Sequence, residues 1–232
     1  MWFRNARVFR FTKPFDISAE ELEEKLQADA FKPCGPQETS RQGWVPPLGK
    51  HGEQLVHSAN GYHLIALRKE EKILPGSVVK EAVEEKAEAI EFEQGRKVRR
   101  KEKDEIKEQV MLEMLPQAFS KNRRSFAYLA PQDGVLVVDA GSAKQAEDLA
   151  STLRKSLGSL PVRPPAVEQA PAFTFTGWLN ESIDLPGKVV LGTECELKDP
   201  SEDGGVVRCK RQDLASDEIQ LHLSAGKQVS QL

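Results

Sequence analysis

The stretch from Ser77 to about Leu115 constrains the fold most, because it has helical periodicity but too few apolar residues in its middle to be buried. Apolar residues recur at helical spacing on both sides of that middle: Val79, Val83, Ala87, Ile90, Ile106, Val110 and Met114. Residues 94–104 contain one apolar side chain, Val98, and Gly95 weakens a helix by about 1 kcal/mol relative to Ala. The sequence therefore predicts either one long helix with a solvated middle or two helices with a break near 95–103. In both cases the segment is predicted to project from the rest of the chain.

Strand and helix signals precede this stretch. Residues 2–12 are rich in aromatic and β-branched side chains and are predicted to form a strand. Ser18 and Glu21 form a capping-box pattern at the start of an amphipathic helix over 18–31. Residues 32–53 are dense in Gly and Pro and are predicted to be loop, and residues 62–68 are predicted to form a second strand.

After the helical stretch, residues 125–130 and 135–139 flank PQDG, which is typical of a hairpin. A helix is predicted from Ser142 to Gly158, followed by a linker and domain boundary over 161–171. We expect a short helical or extended piece over 173–180, strands near 188–197 and 205–211, and a helix from Ser216 to Gly226. The last residues, KQVSQL, resemble the start of a strand and suggest a chain that is cut rather than finished.

Composition limits the class of protein. The 232 residues allow one large domain or two small ones, and no apolar run is long enough to span a membrane. The N-terminus lacks the features of a secretion signal, so we expect a cytoplasmic protein. Cys34, Cys195 and Cys209 form no CxxC pair and are expected to be reduced, structural thiols. A net charge of −3 argues against a nucleic-acid binder that is basic all over, but it allows a local basic face.

No pattern for catalysis is evident in the sequence. It contains no phosphate-binding loop, no dinucleotide fingerprint, and no HExxH or GxSxG motif. The four histidines have no metal-ligand spacing, and no acid–base pair of carboxylates can be singled out. We therefore expect no enzymatic activity, no cofactor and no metal, and a test for metal-dependent DNA cleavage would detect a nuclease.

The stretch QGRKVRRKEKDEIK, residues 94–107, is unusual because seven of its fourteen side chains are Lys or Arg. One interpretation is a solvated helix face, which is the commoner reason for such a run. The other is a surface for a polyanion. The candidate contacts are Arg96, Lys97, Arg99, Arg100, Lys101 and Lys103.

Two further basic clusters support the second interpretation. The first is AFSKNRRSF, which adds Lys121, Arg123, Arg124 and an aromatic residue, Phe119, expected in a loop or tight turn after Pro116. Phe119 could contact nucleic acid or pack under the helix end as a local plug. The second is VVRCKRQD, in which Arg208 and Lys210 share a strand face, either to bind an anion or to protect an edge strand.

Several strings resemble the bacterial recombination-associated protein family RdgC: WFRNARVFRF, WVPPLGKH, LRKEEKILPGSVVK, LPQAFS, LRKSLGSLPV and EDGGVVRCKRQDL. They occur in the family's order from residue 2 to about 229. Members of that family are longer at the C-terminus, so the chain resembles a member without its last segment.

The resemblance implies an α+β fold with three parts: a central domain of residues 1–76 and 120–165, a helical finger of residues 77–119, and a tip domain of residues 166–232. It implies a horseshoe-shaped subunit and a ring-shaped homodimer that encircles double-stranded DNA without sequence specificity. It further implies a nucleoid-associated, non-enzymatic protein that limits access of the recombinase RecA to DNA. Single-stranded DNA is left open as a second ligand, and no membrane is involved.

The resemblance also assigns roles to residues. The cations of 96–103 become phosphate contacts, Phe119 matches the finger aromatic, and Arg211 and Gln212 match the tip where subunits meet. The competing hypothesis is a protein-interaction module whose basic finger binds an acidic partner. Binding through phosphates should weaken steeply with salt, whereas partner docking should be selective for one protein.

Overall fold

A seven-stranded antiparallel sheet organises the first part of the chain in the computed structural model, which describes residues 3–201 and 203–232 except for the side chain of Lys50. Its strand order is β2-β4-β5-β6-β1-β7, and β3 also pairs with β4. The strands are β1 (Ala6–Phe11), β2 (Ser40–Val45), β3 (Val56–Ala59), β4 (Tyr62–Ile73), β5 (Phe119–Ala130), β6 (Val135–Asp139) and β7 (Val162–Arg163). The predicted first strand is confirmed over β1, while its first residue, Trp2, lies outside the described residues.

Six α-helices lie in the described residues. They are α1 (Ala19–Ala28), α2 (Gly76–Gln94), α3 (Arg100–Met114), α4 (Ala143–Leu157), α5 (Pro171–Leu179) and α6 (Asp217–Ser224). Together with the antiparallel sheets they confirm the α+β class. None of these described helices combines the length and apolar character needed to cross a membrane.

Local sequence signals account for the ends of α1 and α4. The Glu21 backbone N–H donates to Ser18 Oγ at 3.2 Å, and the Gln145 N–H donates to Ser142 Oγ at 3.3 Å. Gly158 ends α4 with a φ of 76°, a conformation that glycine adopts without strain. The predicted α1 was too long by about three residues, because Asp29 already caps it. Both helices bury leucines against the sheet in the main core, among them Leu22, Leu26, Leu149 and Leu153.

The prediction of loop over 32–53 was wrong for β2. This strand pairs with β4 from Ser40↔Glu71 to Val45↔Ala66, and its Trp44 is 1% exposed. Gly43 explains why a Gly-rich segment fits here, since a Cβ at this position would lie 2.5 Å from the Phe31 Cα. The strand β3 was also missed, although it forms a hairpin with β4 through Asn60 and Gly61, whose φ angles are 50° and 81°.

The segment 77–115 forms two helices rather than one. The helix α2 ends at Gly95, which has a φ of 62°, and α3 starts at Arg100. The two helices pack on each other around a small apolar cluster of their own, consisting of Val79, Val83, Ala87, Val98, Ile106 and Val110. The alternative with a break near 95–103 is therefore confirmed. We call α2, residues 95–99 and α3 the helical hairpin.

The chain divides into two compact units, Met1–Pro165 and Ala166–Leu232. The second unit has a three-stranded antiparallel sheet in the order β10-β8-β9, with β8 (Glu194–Lys198), β9 (Val206–Lys210) and β10 (Gln228–Gln231). Its core contains Leu197, Ile219 and Val229, each fully buried. The predicted strands near 188–197 and 205–211 are confirmed in shorter form, and residues 173–180 are largely helical in α5.

Candidate nucleic-acid interface

The predicted contacts of residues 96–103 lie together at the turn of the helical hairpin. Arg96, Lys97 and Arg99 belong to the connection between the helices, and Arg100, Lys101 and Lys103 to the first turn of α3. All six side chains are exposed. We call these six residues the turn cluster.

Glu102 fixes the shape of this turn. Arg96 donates two hydrogen bonds to its carboxylate, at 2.9 Å from Nη1 and 2.7 Å from Nη2, and the Arg99 backbone N–H donates a third at 2.8 Å. The Arg96 hydrogen bonds and the Arg99 N–H lower the pKa of Glu102 to about 2. Arg96 is therefore occupied in holding the turn, which its assignment as a phosphate contact did not anticipate.

The remaining five cations of the turn cluster are available for a ligand. Within the described part of the chain, none of Lys97, Arg99, Arg100, Lys101 and Lys103 forms an ion pair. Since exposed lysine and arginine side chains meet phosphate oxygens without reading bases, this arrangement suits a polyanion.

Charge is segregated along the helical hairpin. Residues 76–94 contain six glutamates and two lysines, and residues 104–114 contain four acidic residues and one lysine. Residues 95–103, by contrast, contain six cations and one acid. Because acidic side chains repel phosphates, this charge pattern favours the turn as the place where a polyanion would contact the hairpin.

The second cluster lies on a strand, and the prediction of a loop or tight turn for Phe119 was wrong. The β4–β5 ladder runs from His63↔Leu129 to Ile73↔Phe119, so pairing with β4 extends β5 six residues before the predicted start. Phe119 is 85% exposed at the end of this ladder, and it is not buried under the helix end. Side chains alternate along β5, which places Lys121 and Arg123 on the face of Phe119 and Arg124 on the other. We call Lys121, Arg123 and Arg124 the strand cluster.

The structure adds cations that the sequence pattern did not indicate. Lys69 lies opposite Arg123 and Arg68 opposite Arg124 in the β4–β5 register. Arg68 Nε donates a hydrogen bond to Asn122 Oδ1 at 2.8 Å, and Arg68 Cζ lies 4.3 Å from the centroid of the Phe31 ring. Lys69 Nζ forms an ion pair with Glu71 Oε1 at 2.5 Å. The sequence LRKEEK contains them, but the predicted strand ended at residue 68, before their pairing partners on β5 could be recognised.

Phe92 is a second exposed aromatic residue that was missed. It lies near the end of α2, 92% exposed. The signal was present, because Phe92 is off the apolar stripe formed by Val79, Val83, Ala87 and Ile90. The Phe92 ring is not buried by its own helix and is available for contact with another molecule.

In the third cluster, which lies in the second unit, most of the polar side chains face or contact a neighbouring carboxylate. Arg208 Nε donates to Glu196 Oε2 at 2.7 Å, an interaction that lowers the pKa of Glu196. Gln212 Nε2 donates to Glu218 Oε2 at 2.7 Å, and Lys210 lies opposite Glu194. Arg211 follows the end of β9 with a φ of 54°. The loop position of Arg211 and Gln212 is confirmed.

No metal site emerges from the described residues, in which no group of three or more His, Cys, Asp and Glu side chains is arranged around one point.

Comparison with known proteins identifies the family. The sequence profile of the family described as "Putative exonuclease, RdgC" matches residues 1–232. The chain is 54% identical over 232 residues to the recombination-associated protein RdgC of Aeromonas hydrophila, and the match covers 100% of this chain and 76% of the relative. It is 50% identical over 233 residues to the protein of the same name from Pseudomonas aeruginosa, again with 100% and 76% coverage. A third such protein, from Tolumonas auensis, is 48% identical over 232 residues with the same coverage.

The match extends over every element that carries the clusters, from β1 to β10. The strings on which the resemblance rested lie within this range. The chain therefore belongs to the RdgC family of recombination-associated proteins.

Proposed function

We propose that the protein binds double-stranded DNA without sequence specificity and restrains RecA-dependent recombination by occupying the DNA. The observation that carries this proposal is the group of five exposed, unpaired cations at the turn of an otherwise acidic helical hairpin, within the residues that the structure describes. The curated relatives are named recombination-associated proteins, which supports a role in recombination for this chain as well.

Binding of this kind does not depend on the DNA sequence. Lysine and arginine displace counterions from the phosphate backbone, which gives affinity without sequence preference. The clasp between Arg96 and Glu102 limits the freedom of the turn before DNA arrives, so less conformational entropy is lost when the neighbouring cations bind. The proposed DNA contacts also include Lys121, Arg123 and Arg124 on β5. In the second unit they include Arg208 and Lys210.

The proposed assembly is a ring-shaped homodimer with a horseshoe-shaped subunit, whose finger is the helical hairpin and whose tip contact includes Arg211 and Gln212. A closed ring leaves DNA only by opening or sliding off an end, so retention exceeds what the phosphate contacts provide. The proposed location is the nucleoid in the cytoplasm. Single-stranded DNA is proposed as a weaker ligand, for which the exposed rings of Phe92 and Phe119 offer stacking surfaces.

Fluorescence anisotropy of a labelled random-sequence duplex tests this proposal. We expect tight binding that weakens steeply with salt. In a variant with Arg99, Arg100, Lys101 and Lys103 changed to Ala, the log–log slope should become shallower by roughly 0.9 for each phosphate that the protein no longer neutralises. The matched control changes four exposed lysines outside the clusters, Lys13, Lys32, Lys80 and Lys188, and should keep the slope. An equal decrease of slope in both variants would show a general charge effect and would contradict a site at the turn.

Two other functions have specific support and are tested with the same preparation. The exposed ring of Phe92 supports the alternative of a protein-interaction module whose basic finger binds an acidic partner. In that case Phe92→Ala should weaken binding of the partner protein and leave the affinity for double-stranded DNA unchanged. The family description names an exonuclease. We propose a non-enzymatic role, which predicts that linear DNA stays uncut when incubated with the protein and Mg²⁺ or Mn²⁺.

A further inference from the structure

Two cysteines that are far apart in sequence lie directly opposite each other in the second unit. Cys195 on β8 is the register partner of Cys209 on β9, and both are free thiols. They are 5% and 8% exposed, and they belong to the same apolar cluster as Leu197 and Ile219. The sequence spacing gave no sign of this pairing, which only the β8–β9 hairpin creates.

The geometry of this pair matches what a disulfide requires. Directly opposite residues in an antiparallel ladder have Cα atoms about 4.5 or 5.5 Å apart, depending on the hydrogen-bonding pattern. Both separations lie in the range of about 4.4–6.8 Å that disulfides span. The sheet therefore already places the two cysteines side by side, as register partners within one apolar cluster.

We infer that Cys195 and Cys209 form a reversible disulfide when the protein meets hydrogen peroxide. In the first step one thiolate attacks a peroxide oxygen, the O–O bond breaks, and hydroxide leaves as the cysteine becomes a sulfenic acid. In the second step the other thiol attacks that sulfur, the S–S bond forms, the S–O bond breaks, and a second hydroxide leaves. The two thiol protons convert both hydroxides into water, so two thiols are oxidised and one peroxide is reduced.

The surroundings set the rate and the consequence of this reaction. Burial and the neighbouring Cys209 raise the pKa of Cys195 to about 11, so little thiolate is present at neutral pH and oxidation is slow. Peroxide is small enough to enter by the open depression of about 340 Å³ that both cysteines border. The disulfide ties the edge strand β9 to the central strand β8, one residue before Lys210 and two before Arg211. This reaction is independent of the proposed DNA binding.

The test exposes the full chain to hydrogen peroxide, alkylates the remaining thiols in denaturant, and maps the peptides by mass spectrometry with and without reduction. We expect a linked pair of peptides containing Cys195 and Cys209, reversed by a thiol reductant, and formed faster at higher pH. Cys34 is the internal comparator, because it lies in the first unit and should be recovered alkylated or singly oxidised. Recovery of Cys195 and Cys209 as separate alkylated peptides, or a link from either of them to Cys34, would overturn the inference.

Two variants keep this result interpretable. Cys34→Ala should form the same linked pair at the same rate. Cys209→Ala should abolish it and leave Cys195 oxidised singly or unreacted, with circular dichroism to show that the variant is folded. If the Cys195 peptide of Cys209→Ala is still detected as part of a disulfide-linked pair, then Cys195 was not bonded to Cys209, and the inference is wrong.

Discussion

Gly43 has no room for a side chain, because a Cβ there would lie 2.5 Å from the Phe31 Cα and 2.8 Å from the Asp29 carbonyl oxygen. The obstacle is backbone, which cannot move aside without breaking the hydrogen bonds of Trp44 and Phe31. We predict that Gly43→Ala lowers the free energy of unfolding by about 2–3 kcal/mol, in the range of overpacked cores. Urea unfolding measures it. Gly76→Ala, where nothing lies within 4 Å of the added Cβ, should change stability by less than about 0.5 kcal/mol.

The Arg96–Glu102 clasp should persist to acidic pH. The pKa of Glu102 is about 2 in the folded chain and about 4.3 in an unfolded one. The clasp therefore stabilises the folded chain fully above about pH 4.3, and this stabilisation is lost as the pH falls through about 2. A carboxyl-carbon NMR titration should give Glu102 a midpoint near the lower value. In Arg96→Ala the midpoint should rise towards about 4.3, because the largest cause of the shift is removed. Equal midpoints in both proteins would show that Arg96 does not hold the carboxylate.

At the scale of elements, the helical hairpin depends on its own small core. Ile106 is 8% exposed and packs with Val79, Val83, Ala87 and Val110. We predict that Ile106→Ala destabilises this hairpin by about 2–3 kcal/mol, measured as faster amide hydrogen exchange in α2 and α3. Leu112, 51% exposed on α3, is the control, since its change to Ala should leave exchange nearly unaltered. Equal acceleration in α4 after Ile106→Ala would show that the hairpin does not open separately.

The elements that the sequence predicted well are those specified by local signals. Ser18, Ser142 and Gly158 mark helix ends through contacts within a few residues, and PQDG closes the β5–β6 hairpin. The elements that were missed depend on distant partners. Strand β2 exists because β4 pairs with it and because Gly43 fits against Phe31, and neither condition is visible in a Gly- and Pro-rich segment.

The same distinction holds for the candidate interface. The break that places residues 96–103 at a turn was one of the two alternatives predicted from the missing apolar stripe around Gly95, which is a local property. The position of Phe119 on a strand did not, because the six residues before Ser125 are polar or small apart from that ring and become a strand only through pairing with β4. The pairing of Cys195 with Cys209, and the occupation of Arg96 by Glu102, likewise required the fold.

At the scale of the whole molecule, the two units have separate buried cores, one centred on residues such as Leu129 and the other on residues such as Leu197. Both leucines are fully buried, so each change to Ala should cost about 2–5 kcal/mol within its own unit. The second unit is small enough that its core is marginal. We therefore expect calorimetry to resolve two transitions.

Leu197→Ala should lower the midpoint of the transition of the second unit, and Leu129→Ala should lower the midpoint of the transition of the first unit. The double variant should show both shifts with little interaction energy, because the two leucines belong to separate buried clusters. If both single variants instead shift one common transition, the units unfold cooperatively, and the oxidation of Cys195 and Cys209 should then stabilise the first unit as well as the second.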